Sequence, residues 1–388
     1  MLFESPKLDQ LTLDVIERLT QMRMKLEWAS GGRSRRWGGL LRRNAFARVI
    51  QGSNSIEGYS ASPEDAVAAV DGDERIDASQ ETWDALVGYR QAMTYVIQLA
   101  GDPHFSYSSG LLRALHFMMT QYDLAKNPGR WRPGYITVRN SESGNIVYEA
   151  PDAELIPELT DELVQQLNQQ ERHQSAPVLV RGALSHLNLV MIHPFSNGNG
   201  RMARCLQSLV LARENILAPV FCSIEEELAR TTLQYYRVLE EVGGGKWNPH
   251  RDLTAWIRFN LQAHFTQAKR LESRMRRMDR LWGEIERIVA AERLPDRVVP
   301  VLCDAACGYS IRNSSHRLAA EIPQNLASRD LKTMVDKRLL VPRGEKRGRR
   351  YSAAPYIRKI WTAMKEEGAL EDPFETTGPS PRRTSSSS

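Results

Sequence analysis

The chain has 388 residues, which is enough for two or three domains, and 41% of them are hydrophobic and 26% charged, as in ordinary globular proteins. A net charge of +5 suits nucleotides or nucleic acid as partners but proves neither. No stretch approaches eighteen apolar residues and no signal-peptide pattern opens the chain, so we expect a cytoplasmic protein that does not contact a membrane. Four cysteines without disulfide or zinc spacing predict buried, reduced thiols.

Residues 1–100 are predicted to form a helical N-terminal region that contains a short acidic motif. Apolar residues at positions 46–50 have helical spacing and lead into Ser53-Asn54-Ser55-Ile56-Glu57-Gly58. On these six residues alone, Glu57 reads as an exposed acid at a helix end, with Gly58 as the cap. Residues elsewhere in the chain support a different interpretation of this motif, which is given below with the family resemblance.

Two short alternating runs predict a β-hairpin within residues 135–149. Residues 135–138 and 145–148 favour strands, and the Asn, Ser and Gly residues between them favour a turn. A plain surface hairpin is the simplest interpretation of this pattern. Residues 151–167 then follow with leucines at helical spacing and predict a helix that returns to the core.

The most informative stretch is His-Pro-Phe-Ser-Asn-Gly-Asn-Gly-Arg-Met-Ala-Arg, residues 193–204, which joins two apolar helical segments. The first segment should stop at His193, because a residue before proline is disfavoured in the α conformation. Gly198 and Gly200 permit positive φ and a close approach of the backbone to an anion. The helix that begins after them adds its unpaired N–H groups.

Three side chains complete the chemistry of this loop. Arg201 and Arg204 are three residues apart, so they lie on one face of the second helix and point toward the same anion. His193 lies at the edge of the loop and can take a proton from an incoming hydroxyl group. The stretch therefore predicts a phosphate-binding loop that carries a general base.

Residues 193–204 resemble the signature of the Fic family, H-P-F-x-[D/E]-G-N-G-R-x-x-R. Every fixed position matches except one, because Asn197 stands where the family most often has a carboxylate. Residues 53–58 resemble the [S/T]-x-x-x-E-[G/N] inhibitory motif of Fic proteins that carry it before the core, and the predicted hairpin lies where the family has its flap. The resemblance covers most of the chain and implies a mainly α fold, with a Fic-type helical bundle, a small β-hairpin flap and a C-terminal winged helix-turn-helix domain.

The implied domains are an N-terminal region 1–100 with the inhibitory motif, a Fic core 101–245, connecting helices 246–294, a winged helix 295–357 and a disordered tail 371–388. In the winged helix, Arg329 and Lys332 lie on the predicted third helix and the wing is basic, which makes DNA binding possible. The same fold often contacts proteins instead, so DNA is not the favoured partner.

By resemblance, the reaction is the transfer of AMP from ATP to a Ser, Thr or Tyr hydroxyl group of a target protein or of the chain itself. The implied roles are His193 as general base, Gly198, Asn199 and Gly200 as backbone and amide donors to phosphate oxygens, and Arg201 and Arg204 as ligands of the β- and γ-phosphates. Tyr235 and Tyr236 match positions where related proteins place aromatic residues near the adenine, although aromatic residues at helical spacing are more often core.

Four further expectations follow from the resemblance. Asn197 would ligate Mg²⁺ through a neutral amide oxygen, so metal binding should be weaker than in the family. Glu57, on a short helix with Ser53 in the same motif, would form a bidentate pair with Arg204 where the γ-phosphate otherwise sits. The target protein would pair with the flap through main-chain hydrogen bonds, and a homodimer is expected by analogy.

Two alternatives to an autoinhibited AMP-transferase stay open at this stage. One keeps the enzyme but changes the reaction to removal of AMP or to transfer of another nucleotide. The other is a DNA-binding winged-helix regulator in which the Fic core only senses a nucleotide.

Overall fold

The structure is a computed structural model that describes residues 1–31, 36–140, 143–173, 176–214, 218–345, 349–364 and 371–375. The first half contains α1 (Gln10–Gly31), α2 (Gly38–Ile56), α3 (Pro63–Asp71), α4 (Gln80–Ala100), α5 (Ser109–Thr120), β1 (Thr137–Arg139), β2 (Ile146–Glu149), α6 (Ile156–His173) and α7 (Val178–Ile192). The second half contains α8 (Asn199–Ala212), α9 (Glu225–Arg230), α10 (Thr232–Gly243), β3 (Gly245–Lys246), α11 (Thr254–Ala291), α12 (Val299–Cys307), α13 (Asn313–Ala320), α14 (Gln324–Asp336), β4 (Leu340–Arg343), β5 (Arg350–Ala353) and α15 (Pro355–Ala363). The predicted mainly α fold is confirmed.

The helices α7 and α8 form the centre of the molecule. Almost every residue of both is buried: α7 is mostly apolar, whereas α8 also buries Arg201, Arg204 and Gln207. The helices α4, α5, α6 and α11 pack around this pair. A Cβ at Gly182 would lie 3.3 Å from Leu211 Cγ, so a glycine there lets α7 and α8 approach closely.

The helix α2 lies against α9 and brings the acidic motif to the centre. A Cβ at Gly52 would lie 2.8 Å from the carbonyl oxygen of Glu225, so this contact requires a glycine. Gly38 and Gly39 are the first two residues of α2. Glu57 is the C-cap of this 19-residue helix, so the expected short helix is wrong.

The predicted hairpin is confirmed, and it gains a third strand. Thr137 pairs with Glu149 across the antiparallel strands β1 and β2, while Tyr148 pairs with Gly245 in a parallel contact between β2 and β3. The two residues of β3 were not predicted, because a glycine run carries no strand pattern. The hydroxyl group of Tyr148 donates to the carbonyl oxygen of Met191, 2.9 Å away, and this ties the hairpin to the end of α7.

The C-terminal module, α12 to α15 with β4 and β5, follows the predicted order of three helices and two antiparallel strands. Its classification as a winged helix stays a prediction, and α15 is an additional helix that packs on α12. The helices α9 and α10 meet at Thr231. Within the described ranges, no helix combines the length and the apolar character needed to cross a membrane.

Part of the predicted disordered tail is packed on the core. Arg18 donates two hydrogen bonds to the carboxylate of Glu371, at 2.9 and 3.0 Å, and the guanidinium of Arg258 lies 5.5 Å from the ring centre of Phe374. Residues 376–388 of the predicted tail lie outside the described residues.

Candidate active site

The loop between α7 and α8 is closed by its own side chains. His193 ends α7 in the left-handed conformation, with φ 52°, and Gly198 begins α8 with φ 77°. The Asn199 side chain accepts a hydrogen bond from the N–H of Phe195 at 2.9 Å and donates one to the carbonyl oxygen of Phe195 at 2.8 Å. The Asn199 amide therefore closes the loop, while one of the two N–H groups of Nδ2 is not used in these bonds. The predicted contact of this amide with phosphate stays a prediction.

The imidazole of His193 is held in one tautomer. Its Nδ1 lies 3.1 Å from the carbonyl oxygen of Val190. Because a carbonyl oxygen only accepts, Nδ1 carries the proton and Nε2 carries the lone pair. Burial lowers the pKa of His193 to about 4, and the cation of Arg132 acts in the same direction, against the opposing effects of Val190 and Glu57. The ring is therefore neutral near pH 7 and can accept a proton at Nε2.

Arg132 fixes the backbone on either side of this imidazole. Its Nε donates to the carbonyl oxygen of His193 at 2.8 Å, and its backbone N–H donates to that of Pro194 at 2.9 Å. A third donor, Nη2, reaches the carbonyl oxygen of Pro151. The side chain is 4% exposed. The sequence did not single out Arg132, because a basic residue within a proline- and glycine-rich turn resembles ordinary solvated surface.

His116 supports the loop from the opposite side, as a packed histidine. Its Nδ1 accepts a hydrogen bond from the N–H of Gly129 at 2.9 Å, so Nε2 carries the proton and donates to the carbonyl oxygen of Asn197, also at 2.9 Å. The ring stacks on Phe195 with centroids 3.8 Å apart. Burial lowers the pKa of His116 to about 4. This neutral ring fixes the position of the loop that precedes α8.

Unpaired donors converge at the N-terminus of α8. The first N–H that bonds within this helix belongs to Met202, which donates to Gly198 at 3.0 Å, so the N–H groups before it are available. Arg201 and Arg204 are 0% and 1% exposed. Among the residues the structure describes, Arg201 Nε, Arg201 Nη1 and Arg204 Nη1 have no hydrogen-bond partner. A buried donor left unpaired costs about 1–3 kcal/mol, so these atoms indicate a site for an anion.

Glu57 and Ser53 occupy the remaining donors of Arg204. The Nη2 atom donates to Glu57 Oε1 at 2.8 Å and to the carbonyl oxygen of Ser53 at 2.9 Å, and Nε donates to Ser53 Oγ at 2.9 Å. The contact between Glu57 and Arg204 is present as predicted, but it is monodentate rather than bidentate. Burial acts to lower the pKa of Arg204, but Glu57, Tyr235 and Tyr89 together outweigh it, so the pKa is raised.

Gly200 makes room for this carboxylate. A Cβ at Gly200 would overlap Glu57 Oε1 and lie 3.1 Å from Arg204 Nη1. The sequence predicted that a phosphate would approach the backbone of Gly200. In the structure, the carboxylate of Glu57 lies at that position.

The two tyrosines of α10 take different positions. Tyr235 is 1% exposed, and its hydroxyl group donates to His186 Nε2 at 2.9 Å, since His186 Nδ1 donates to Gln207 at 2.7 Å. Tyr236 is 46% exposed, and its hydroxyl group donates to the carbonyl oxygen of Ile56 at 3.1 Å, next to Glu57. Tyr235 is a core residue, Tyr236 holds the end of α2, and a contact of either with adenine stays a prediction.

A buried carboxylate lies behind Arg204. Glu225 is 1% exposed and accepts hydrogen bonds from Tyr89 at 3.1 Å, from Ser208 at 3.1 Å and from Ser223. Burial raises the pKa of Glu225 to about 7, despite the opposing influence of Arg204. A run of three glutamates in the sequence gave no sign that one of them would be internal.

The protein residues do not fit a tightly held Mg²⁺. Asn197 is exposed and offers one neutral oxygen, which lies 3.4 Å from Arg201 Nη2. Within the described part of the chain, no three His, Cys, Asp or Glu side chains cluster as a metal site would require.

The central region of the chain is similar in sequence to known proteins. A model of the Fic/DOC family matches residues 106–211. "Protein adenylyltransferase fic-1" of Caenorhabditis elegans is 33% identical over 96 residues, which are 25% of this chain and 18% of that protein. "Protein adenylyltransferase Fic" of Nematostella vectensis is 38% identical over 77 residues, or 20% of this chain and 15% of that one. The chain thus spans less than a fifth of the length of these relatives.

A solved structure agrees over a longer range. The crystal structure of a Fic family protein from Desulfovibrio desulfuricans has a TM-score of 0.55 and 19% sequence identity, and the match covers 92% of this chain and 98% of that one. At this identity the similarity shows the fold alone.

Proposed function

The chain is a Fic family protein in its central region, residues 106–211, and we propose that it is a protein adenylyltransferase held in check by Glu57. The donor is ATP, and the acceptor is a Ser, Thr or Tyr hydroxyl group of a target protein or of the chain itself. One observation carries this proposal: buried, unpaired guanidinium donors of Arg201 and Arg204 lie at a helix N-terminus that directly follows His193.

The chemistry follows from the positions of these groups. The N–H groups of α8 and the two guanidinium groups bind the phosphates and stabilise the charge that develops on them. The hydroxyl oxygen of the target attacks the α-phosphorus as its proton moves to His193 Nε2. The new bond joins that oxygen to phosphorus, the bond to the β-phosphate oxygen breaks, and pyrophosphate leaves. Such a general base contributes roughly 10²–10⁴ in rate.

The same arrangement supports an inhibitory role for Glu57. Its carboxylate takes the Arg204 Nη2 donor at 2.8 Å and lies where a Cβ on Gly200 would be. A phosphate that needs this guanidinium has to displace a charge-assisted hydrogen bond, which is worth about 1.5–3 kcal/mol. Ser53 keeps Arg204 in place while Glu57 moves.

The hairpin supports the proposed way of binding a target. In the described sheet the strand order is β1-β2-β3, so β1 is an edge strand with an unpaired side. An extended segment of a target protein can add to this edge through main-chain hydrogen bonds, which demand no particular sequence. Tyr148 and Arg132 tie the hairpin to the ends of α7 and of the loop, near His193.

Transfer of a different phosphate-linked group is the second candidate, and Asn197 favours it. A neutral amide next to Arg201 binds Mg²⁺ less well than a carboxylate does, which weakens the case for ATP-Mg²⁺ as the donor. Parallel incubations with labelled ATP, GTP, CTP and UTP separate the two candidates.

Incubation with α-labelled ATP and Mg²⁺ tests the proposal with four proteins: the wild type, Glu57→Gly, His193→Ala and the double variant. The wild type should label weakly, Glu57→Gly should label more strongly by at least tenfold, and His193→Ala should not label protein in either background. Label that is unchanged by Glu57→Gly would remove the inhibitory role, and label that survives His193→Ala would remove the proposed base.

A further inference from the structure

A basic cleft lies on the side of α2 that faces away from Arg204. It has a volume of about 580 Å³ and opens to solvent. Residues of three parts of the chain line it: Arg48, Gln51 and Ser55 of α2, Arg230 at the end of α9, and Tyr309 and Arg358 of the C-terminal module. Ligand pockets in proteins usually measure roughly 300–1,000 Å³, so the basic cleft can hold a small molecule.

Positive charge in the basic cleft exceeds what its acids neutralise. Glu226 already accepts from Arg274 at 2.7 and 2.5 Å, and Arg230 donates to the same carboxylate at 3.1 Å. Arg48 Nε lies 3.4 Å from Glu226 but lacks hydrogen-bond geometry, and this buried atom has no hydrogen-bond partner within the described residues. One carboxylate therefore serves several guanidinium groups.

Arg358 adds a further cation at the mouth of the basic cleft. It is exposed and forms no ion pair with any residue of the described ranges. Glu64 is the second acid of the lining, so Arg48, Arg230 and Arg358 face two carboxylates, one of which is saturated. Burial lowers the pKa of Arg48, and the nearby Arg274 lowers it further, against Tyr309 and Glu226. An added anion would relieve this imbalance.

We propose that the basic cleft binds a phosphorylated small molecule of about mononucleotide size, with its phosphate between Arg48, Arg230 and Arg358. Guanidinium groups are the side chains best matched to phosphate oxygens. The ring of Tyr309, which lines the cavity next to Ala61 and Ala229, supplies the apolar surface for the rest of the ligand. This binding does not depend on the reaction proposed above.

The position of the basic cleft couples its occupant to Glu57. Arg48, Gln51 and Ser55 lie on one face of α2, while Ser53 and Glu57 lie on the face that contacts Arg204. A ligand in the cleft therefore stabilises the position of α2 in which Glu57 pairs with Arg204. This consequence rests on the proposed function: the ligand should slow transfer by the wild type and leave transfer by Glu57→Gly unchanged.

Calorimetric titration of the full chain with AMP and with inorganic pyrophosphate tests the binding. Arg230→Glu and Arg358→Glu alter exposed side chains and should retain the fold, and Lys359→Glu makes the same charge change on α15 outside the cleft. We expect each cleft variant to weaken binding by on the order of tenfold and the Lys359 variant by less than twofold. Tighter binding of AMP than of pyrophosphate would identify a nucleotide, and the reverse would identify the phosphates as the recognised group.

The binding proposal is overturned if neither probe binds at millimolar concentration, or if binding is equally strong in Arg358→Glu. Transfer measured with and without AMP gives a separate answer. If AMP binds in the cleft but transfer is absent in every variant, the proposed function fails while the binding site stands. If transfer is present but AMP at saturation does not slow it, the coupling to α2 is wrong.

Discussion

At the scale of single residues, the candidate site is defined by which atoms have partners and which do not. The His193 Nδ1–H donates to the carbonyl oxygen of Val190, which leaves the lone pair of Nε2 available to accept a proton. Arg204 donates from Nε to Ser53 and from Nη2 to Glu57, and its Nη1 has no hydrogen-bond partner among the described residues. In Arg201, Nε and Nη1 are without a partner in the same part of the chain. Three buried guanidinium atoms without a partner on the helix that follows the His193 loop indicate a site for an anion.

The lowered pKa of His193 predicts a base that works in mildly acidic solution. A general base must be neutral, and burial lowers the pKa of His193 to about 4, so the ring loses its activity only as the pH falls through about 4. An NMR titration of the imidazole, assigned with His193→Ala, should show no protonation between pH 8 and pH 5.5. A titration midpoint near the usual value of about 6.5 would contradict the burial described here.

Asn197 gives a second prediction at this scale. Asn197→Asp adds the negative charge that Mg²⁺ prefers, so transfer at limiting Mg²⁺ should rise several-fold, with a smaller rise at saturating Mg²⁺. The measurement is the rate of label transfer against Mg²⁺ concentration, in the Glu57→Gly background so that activity is measurable. Asn197→Ala is the control for loss of the amide, and identical Mg²⁺ curves for the Asp variant and the wild-type residue would exclude Asn197 from the metal.

At the scale of elements, the position of α2 determines whether Glu57 reaches Arg204. Two of the contacts of α2 lie close to Glu57: the close approach of Gly52 to Glu225, and the hydrogen bond of Tyr236 to the carbonyl oxygen of Ile56. Both contacts lie within one or two turns of Glu57, so changes in either should be read out as a change in activity.

Gly52→Ala should displace α2. The added methyl group would lie 2.8 Å from the backbone oxygen of Glu225, and overpacking of this kind costs about 1–3 kcal/mol. We expect a lower melting temperature together with higher transfer activity. Gly39→Ala is the matched control, because it lies on the same helix with nothing within 4 Å and should be neutral or stabilising. Equal melting temperatures for the two variants would show that α2 and α9 can separate freely.

Tyr236→Phe should loosen the end of α2 without creating a cavity. It removes only the hydroxyl group that donates to Ile56 at 3.1 Å, a hydrogen bond worth about 0.5–1.5 kcal/mol. Transfer activity should therefore rise by roughly twofold to tenfold, less than with Glu57→Gly. A loss of activity would instead assign Tyr236 to nucleotide binding, the role that the sequence predicted for it.

The sequence predicted most elements and the residues of the loop, but not their partners. Apolar periodicity located α7 and α8, and the proline after His193 located the end of α7, because both depend on local physics. The strand β3, the support by Arg132 and the internal Glu225 depend on residues far apart in the chain. The same holds for the Asn199 amide, whose chemistry suggested phosphate while the loop uses it internally.

At the scale of the whole molecule, one helix separates two sites that carry positive charge. On one face of α2, Glu57 meets the anion site of α8, and on another face Arg48 enters the basic cleft beside the C-terminal module. The N-terminal region and the C-terminal module can thus both influence the central domain through the same element. We propose that these flanking regions regulate the site.

In the proposed function, Arg204 binds nucleotide phosphate and Glu57 competes for it. Calorimetric titration with ATP of the wild type, Glu57→Gln and Glu57→Gly measures this competition. We expect at least tenfold tighter binding to Glu57→Gly than to the wild type, with Glu57→Gln between them, and loss of the gain when Arg204→Ala is added. Equal affinities for the wild type and Glu57→Gly, or a gain that persists without Arg204, would contradict it.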